Sequence, residues 1–329
     1  MKAVVIDAYG DVGMLALKDC PEPKAGPNEI KVRMAGASIN PVDWKLRSGA
    51  LKTIMPLVFP AVLGRDASGE VVEVGPGVTR FKVGDRVMGL VNGAYAEFVV
   101  APTEAWAVVP PKMDLVDAAA LPLALLTGAQ LVDDAVQPRA GDLVLVTGAV
   151  GSVGRAAVFV AKARGAQVWA GVRGTQKVEA SKLGVEGVVA LDSDAEIAKL
   201  PRLDGIADTI GGPTLAKLFD RLKPGATIGS VVGEPAGAKE RGFVVRGGMT
   251  HPDAARLSVL AEAVVDGKLV IPVVKRLPLA QAREAQALAE HHAGGKVLLT
   301  GSPQAREAVR IPLDRTNPKS PAHQGERHE

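Results

Sequence analysis

The chain has 329 residues, room for about two domains. It is 47% apolar and carries a net charge of +3. That composition excludes wholesale disorder, and the mild charge, with Lys and Arg scattered, leaves no nucleic-acid footprint. The lone cysteine, Cys20, excludes an intrachain disulfide and a multi-cysteine metal site, and suits a reducing cytoplasm.

In chain order, the N-terminus begins as a strand (AVVID) and lacks a signal-peptide profile. Short β-rich runs follow, punctuated by Gly and Pro: EIKVRMAGASI, GEVVEVG, DRVMGLV and AYAEFVVA. Their spacing predicts a compact, mostly antiparallel domain. Helical patterning takes over at VDAAALPLALLTGAQLVDDA. Its apolar run from Ala118 to Val132 is broken by Pro122 and is too short to span a membrane comfortably. Strands LVLVTG, QVWAGV, GVVAL, GIADTI, ATIGSVV and FVVRG then alternate with helical segments, which predicts a parallel sheet covered on both faces. A strong helix, DAARLSVLAEAVVDGKL, has Asp253 as N-cap and Gly267 near its end. A strand, helix and strand close the pattern at Gly301, and the Pro-containing polar residues beyond it read as a mobile tail.

The stretch Asp142–Gly154, DLVLVTGAVGSVG, is an apolar strand entering a glycine turn and a helix. Gly148, Val150, Gly151, Ser152, Val153 and Gly154 are therefore candidates to cradle a pyrophosphate at the helix N-terminus. The spacing GxxGxxG is a weak signal alone, and its strand–turn–helix context raises it. The next strand ends at Val172, where an NAD site would place a carboxylate on the ribose 2′-hydroxyl. This chain has Arg173 there and Lys177 a turn later, which favours a 2′-phosphate and hence NADPH. The plain alternative is a solvated arginine and a helix-surface lysine.

Six ordered blocks carry a family resemblance: INPVDWKLRSG, FPAVLGRDASGEVVEVGPGVTRFKVGDRVMG, GAYAEFVV, AALPLALLTG, VTGAVGSVG and GGKVLLTG. With these, residues 1 to 301 resemble the zinc-independent, zeta-crystallin-like quinone oxidoreductases of the medium-chain dehydrogenase/reductase superfamily. The resemblance implies an α/β chain: a GroES-like, partly barrel-shaped β domain plus a Rossmann domain with a doubly wound parallel sheet. The implied division is 1–122 GroES-like, 123–265 Rossmann, 266–301 returning to the first domain, and 302–329 as the tail.

Zinc-dependent members of the superfamily carry cysteine and His-Glu ligands where this chain has Asn40, Arg65 and Asp66, and the four-cysteine lobe after the VGDRV block is missing. The five histidines (His251, His291, His292, His323 and His328) offer no set at ligand spacing. The expectation is no metal. Without a Lewis acid to hold a developing alkoxide, an electron-poor quinone or conjugated alkene is the easier hydride acceptor.

Further site assignments follow from the resemblance. Asn40 faces the nicotinamide and acceptor, with an amide able to donate to the acceptor oxygen, although Asn before Pro41 also suits a turn. Thr127 matches a threonine beside the nicotinamide, or is a helix-interior hydroxyl bonding backwards. Trp44 and Lys45 border the pocket, and Trp44 serves equally as core packing. Arg65 and Asp66 pair internally and line the cleft. Tyr95 is a phenol read as mid-strand and structural, and Arg246 and Met249 edge the acceptor pocket. Val231 and Val232 meet the carboxamide, and Lys296, Val297 and Leu298 form the return strand that reaches the cofactor. Leu191 replaces a tyrosine that helps hold the 2′-phosphate in the family.

The activity this reading implies is NADPH-dependent reduction of quinones or other electron-poor acceptors by direct hydride transfer, in a cytoplasmic homodimer joined through edge strands. Two alternatives remain: an enoyl-thioester or 2-alkenal reductase on the same scaffold, and a non-catalytic NADPH-binding sensor or crystallin-type structural protein.

Overall fold

The computed structural model describes residues 1–291 and 293–301. The N-terminal part holds β1 (Lys2–Ile6), β2 (Ala16–Asp19), β3 (Glu29–Ser38), helix α1 (Pro41–Arg47), β4 (Ala61–Val62), β5 (Asp66–Val74), β6 (Arg86–Leu90), β7 (Phe98–Pro102) and β8 (Trp106–Val108). Alternating residues of β3 and β5 supply Ile30, Val32, Met34 and Val71 to a core shared with Tyr95 and Trp106. Both strands are covered on both faces: no residue of β3 is exposed, and in β5 only Val74 is.

Helix α2 (Pro122–Gln130) belongs to a helical run, Asp117–Val136, that leads out of this part. The run covers the span its helical pattern predicted, and by length and composition it passes for a membrane span. Its most apolar window is 78% buried inside the protein, as expected of a core helix. Pro122 falls in the first turn, where its missing N–H costs nothing.

The parallel part follows: β9 (Leu143–Thr147), α3 (Ser152–Ala163), β10 (Gln167–Val172), α4 (Lys177–Ser181), β11 (Gly187–Ala190), α5 (Asp194–Ile197), β12 (Leu203–Asp208), α6 (Gly212–Ala216), β13 (Leu222–Ser230) and β14 (Val244–Arg246). The strand order is β11-β10-β9-β12-β13-β14, every pair parallel. The order reverses beside β9, which makes its carboxyl end the switch point where open α/β sheets bind ligands. Several connecting helices are shorter than their patterns predicted: α4, α5 and α6 have only four or five residues each.

Helix α7 (Ala254–Val265) has the expected cap, Asp253 accepting from the Arg256 N–H at 2.8 Å. The chain then returns through β15 (Val273–Pro278), α8 (Ala282–Glu290) and β16 (Lys296–Thr300). β16 pairs antiparallel with β3, Leu298 opposite Ser38. The larger sheet is thus β15-β16-β3-β5-β6-β8, with β7 also on β3, and β2-β1-β4 form a small sheet of their own. The residues read as a tail, with His292, His323 and His328, lie outside the described residues.

Candidate active site

The glycine turn has the shape its sequence implied. Gly148 has φ +62°, a left-handed conformation that a side chain resists. A Cβ on Gly154 would sit 2.1 Å from the Gly148 carbonyl oxygen, so strand and helix approach too closely for any other residue. Gly151 is the N-cap of α3, and among the described residues no side chain caps that N-terminus. The first N–H groups of a twelve-residue helix are therefore left to an outside acceptor. Val150, Ser152 and Val153 complete the turn, and this cradle fits a pyrophosphate.

Asp208, which the sequence reading did not single out, braces the rim of this cradle. It is fully buried at the end of β12. Its oxygens accept from the Thr147 and Ser230 hydroxyls, each at 2.8 Å, and from the Ile210 and Gly211 N–H groups at 3.2 and 3.0 Å. The carboxyl ends of β9, β12 and β13 are tied together by one carboxylate. Val231 donates its N–H to the Asp208 carbonyl at 3.2 Å, and Val232 beside it is exposed, so both stand at the sheet edge where ligands bind.

At the far end of the cradle the two predicted cations part company. Arg173 is exposed at the end of β10, and its guanidinium makes no hydrogen bond among the described residues. Lys177 is a correction: its ammonium is clamped by both oxygens of Glu196, at 2.9 and 3.0 Å. A pair of this kind neutralises the charge it could offer to a phosphate. Leu191 is buried, and the next residue, Asp192, accepts from the Gly174 N–H at 3.0 Å. Asp192 also went unnoticed in the sequence, because turn geometry rather than spacing brings it beside Arg173.

The second cluster lies where β3, β5, β16 and the first turn of α2 converge. Asn40 follows β3 and precedes Pro41, the first residue of α1. Its amide donates to Asp66 Oδ2 at 2.8 Å and to the Ser38 carbonyl at 3.2 Å. Its Oδ1 accepts from Lys296 Nζ at 2.6 Å. Asp66 Oδ1 accepts from the Leu123 N–H at 2.7 Å, which ties the cluster to α2. Thr127 lies one turn further along α2, its hydroxyl 2.7 Å from that of Thr250. Asp43 Oδ2 accepts from the Asn40 N–H and from the Tyr95 hydroxyl, both at 2.8 Å.

Burial dominates the electrostatics of this cluster. It raises the Asp43 pKa to about 7, against the lowering effect of Tyr95 and the Asn40 N–H. It also raises Asp66, which Lys296 and Asn40 pull back down. Lys296 is lowered by burial and supported by Asp66 and Asp43. Tyr95 is pushed well above its usual value, first by burial and then by the Asp43 charge.

Several expectations need correction here. Both N–H bonds of the Asn40 amide are already engaged, so it does not present a free donor to an acceptor. Arg65 and Asp66 do not pair: among the described residues Asp66 is bridged by Lys296, with Nζ 3.8 Å from Oδ2, and Arg65 Nε is buried without a hydrogen-bond partner. Adjacent residues of an extended chain point to opposite faces, which separates them. Tyr95 is in the link between β6 and β7 rather than mid-strand, and it is fully buried, so it braces Asp43 and does not line a pocket. Arg246 bonds the Ala135 carbonyl at 3.3 Å and Gln137 Oε1 at 2.5 Å, which turns it away from the predicted acceptor pocket. Met249 is exposed, and Trp44 packs against the core of the antiparallel part with Lys45 half-buried beside it. Val297 and Leu298 are buried in the return strand.

A GroES-type sheet joined to a parallel dinucleotide-type sheet that carries a glycine cradle defines a nicotinamide-dependent oxidoreductase. The comparisons with known proteins agree. Residues 26–111 match the family model for the alcohol dehydrogenase GroES-like domain, and residues 183–299 the model described as zinc-binding dehydrogenase. The chain is 31% identical to a chloroplast envelope quinone oxidoreductase homolog of Arabidopsis thaliana, over 91% of this chain and 98% of that one. It is also 31% identical to a 2-haloacrylate reductase of a Burkholderia species, over 89% and 96% respectively. The quinone oxidoreductase structure from Coxiella burnetii superimposes with a TM-score of 0.82 at 30% identity, covering 91% of this chain and 99% of that one. The chain belongs to the quinone oxidoreductases of the medium-chain dehydrogenase/reductase superfamily.

The zinc implied by the second model does not fit the residues present. Asn40 and Asp66 supply only oxygen donors, and between them stands the Lys296 ammonium, which has no lone pair to give a metal. Among the described residues, no group of three or more His, Cys, Asp or Glu side chains is arranged to hold an ion.

Proposed function

We propose that the protein reduces quinones and other electron-poor acceptors with NADPH, by direct hydride transfer and without zinc. The observation that carries this reading is the replacement of a metal donor set by an ammonium, Lys296, held between Asn40 and Asp66. An acceptor that is already electron-poor needs less help than an unactivated carbonyl. Support for NADPH comes from the exposed Arg173 guanidinium at the end of β10, positioned for bidentate contact with a 2′-phosphate.

Bound NADPH supplies a hydride, that is two electrons and a hydrogen nucleus, from C4 of its dihydronicotinamide. The chain's part is to bind and orient. The turn at Gly148–Gly154 would hold the pyrophosphate, Asp208 keeps the rim tied together, and Thr127 and Val231 would border the ring. Much of the rate then comes from proximity. With Asn40 engaged and Tyr95 buried, the proton that completes reduction comes from water.

The likeness to a 2-haloacrylate reductase favours a second reading, in which an activated alkene is the natural acceptor. The open edge strand β14, with Val244 exposed, supports assembly as a homodimer through that edge. A screen of NADPH consumption over 9,10-phenanthrenequinone, 1,4-naphthoquinone, 2-alkenals and enoyl thioesters tests the proposal. Turnover of quinones supports it, and turnover of alkenes alone selects the second reading. NADPH binding with no turnover on any acceptor would replace both with a binding or structural role.

A further inference from the structure

Among the described residues, two buried polar atoms beside the Lys296 cluster have no hydrogen-bond partner: Ser38 Oγ and Asp43 Oδ1. Such atoms are rare in folded proteins, and their concentration at one place calls for a ligand group or water to complete them. Lys296 is itself under-used. Of its three N–H bonds, one goes to Asn40 Oδ1 at 2.6 Å and one points to Asp66 at the longer distance of 3.8 Å. The third has no acceptor among the described residues, and the side chain is buried.

We propose that Lys296 is a catalytic residue whose ammonium donates a hydrogen bond to the oxygen of the substrate, in the place where zinc-dependent relatives hold their metal, with Asn40 and Asp66 as its positioning residues. The inference rests on the reading of the site as a reductase of electron-poor acceptors. When hydride adds to the β-carbon of an enone, its C=C π pair moves to the oxygen and leaves an enolate. Addition to a quinone likewise leaves a hydroquinone monoanion. In both cases water then supplies one proton and completes the two-electron reduction. The Lys296 charge stabilises the oxygen while it is anionic, and a fixed cation in a water-poor site is far more effective than the same charge in bulk solvent.

The surrounding groups sustain that charge. Burial alone pushes the ammonium toward its neutral form, and the carboxylates of Asp66 and Asp43 oppose it. The Arg65 charge adds a small lowering to Asp66, and the Tyr95 hydroxyl donates to Asp43. Asn40 Oδ1 aims one N–H of Lys296, which leaves the remaining donor direction fixed rather than free to rotate.

A phenolate mimics the developing oxyanion and needs no turnover. We expect 4-nitrophenol, titrated by its absorbance with the folded protein, to show an apparent pKa about one unit lower when bound, as expected of a nearby cation. Lys296→Met should abolish the shift, and Lys296→Arg, which keeps the charge, should retain it. The Arg variant also keeps the test decisive if the Met variant fails to fold. In turnover, Lys296→Met should lower kcat on a simple enone by roughly 100-fold and on 9,10-phenanthrenequinone by less. Absence of any Lys296-dependent phenolate shift overturns the inference, as does an equal loss of kcat on both acceptors. A wild-type protein that binds phenolate through Lys296 yet reduces nothing leaves this assignment standing and defeats the reductase reading instead.

Discussion

The two sheets of this molecule carry function in different ways. The parallel sheet presents backbone: glycines, a helix N-terminus and strand ends drawn together by Asp208. The antiparallel sheet presents side chains, gathered from residues as far apart as Asn40 and Lys296. A backbone site is written in a continuous run of sequence, because the chain must turn there and only glycine permits it. A side-chain site is assembled by topology, and no local spacing announces it.

The largest expected effect tests the backbone site. Gly154→Ala places a Cβ 2.1 Å from the Gly148 carbonyl oxygen, so the turn must open. Overpacking of this kind costs up to about 3 kcal/mol, roughly 100-fold in the NADPH Kd. Fluorescence titration of NADPH measures it. A Kd within twofold of wild type would show that the turn does not hold the cofactor.

Arg173→Asp tests the cofactor end of the same region. Loss of a charge-assisted contact to the 2′-phosphate should raise the NADPH Kd about 30-fold while changing NADH much less. The Lys177–Glu196 pair is already self-neutralised, so Lys177→Ala should have the smaller effect. Equal weakening of both cofactors would remove Arg173 from the phosphate site.

Most of the fold was legible. The alternation of strands and helices from Leu143 onward gave the parallel sheet, and Asp253 marked its helix as expected. Helix lengths were not: patterns such as TQKVEASKLG contain apolar residues at helical spacing, but the segments close after little more than a turn. In the site, Asn40 and Lys296 were named from the resemblance, but their contact was not, since β16 meets β3 only through the long return of the chain. The Arg65–Asp66 pairing failed because sequence neighbours in an extended segment face apart. Asp192 and Asp208 carry no motif and act through the ends of strands.

A smaller effect separates the clusters by pH. Asp43 has its pKa raised by burial from an ordinary carboxyl value to about 7. A raised folded-state pKa favours the folded state below the unfolded value, and that advantage is lost as pH rises from about 4 through about 7. Asp43→Asn keeps an acceptor for the Asn40 N–H and the Tyr95 hydroxyl but cannot ionise. Between pH 5 and pH 8 the wild type should therefore lose at least about 1 kcal/mol more stability than the variant, read from urea midpoints. Parallel pH profiles would show that Asp43 titrates normally.

The smallest expected effect is none, and it discriminates sharply. A zinc enzyme needs thiolate, imidazole or carboxylate lone pairs converging on one point. Here the lone pairs of Asn40 Oδ1 and one oxygen of Asp66 converge on the Lys296 ammonium, and the other Asp66 oxygen is held by the Leu123 N–H. A metal entering this point would have to expel a buried cation from its counterion. Incubation with EDTA or 1,10-phenanthroline, followed by gel filtration, should therefore leave kcat with quinone acceptors unchanged. Loss of activity that added zinc restores would mean that the antiparallel sheet assembles a donor set this geometry does not contain, and the charge assigned to Lys296 would then belong to a metal.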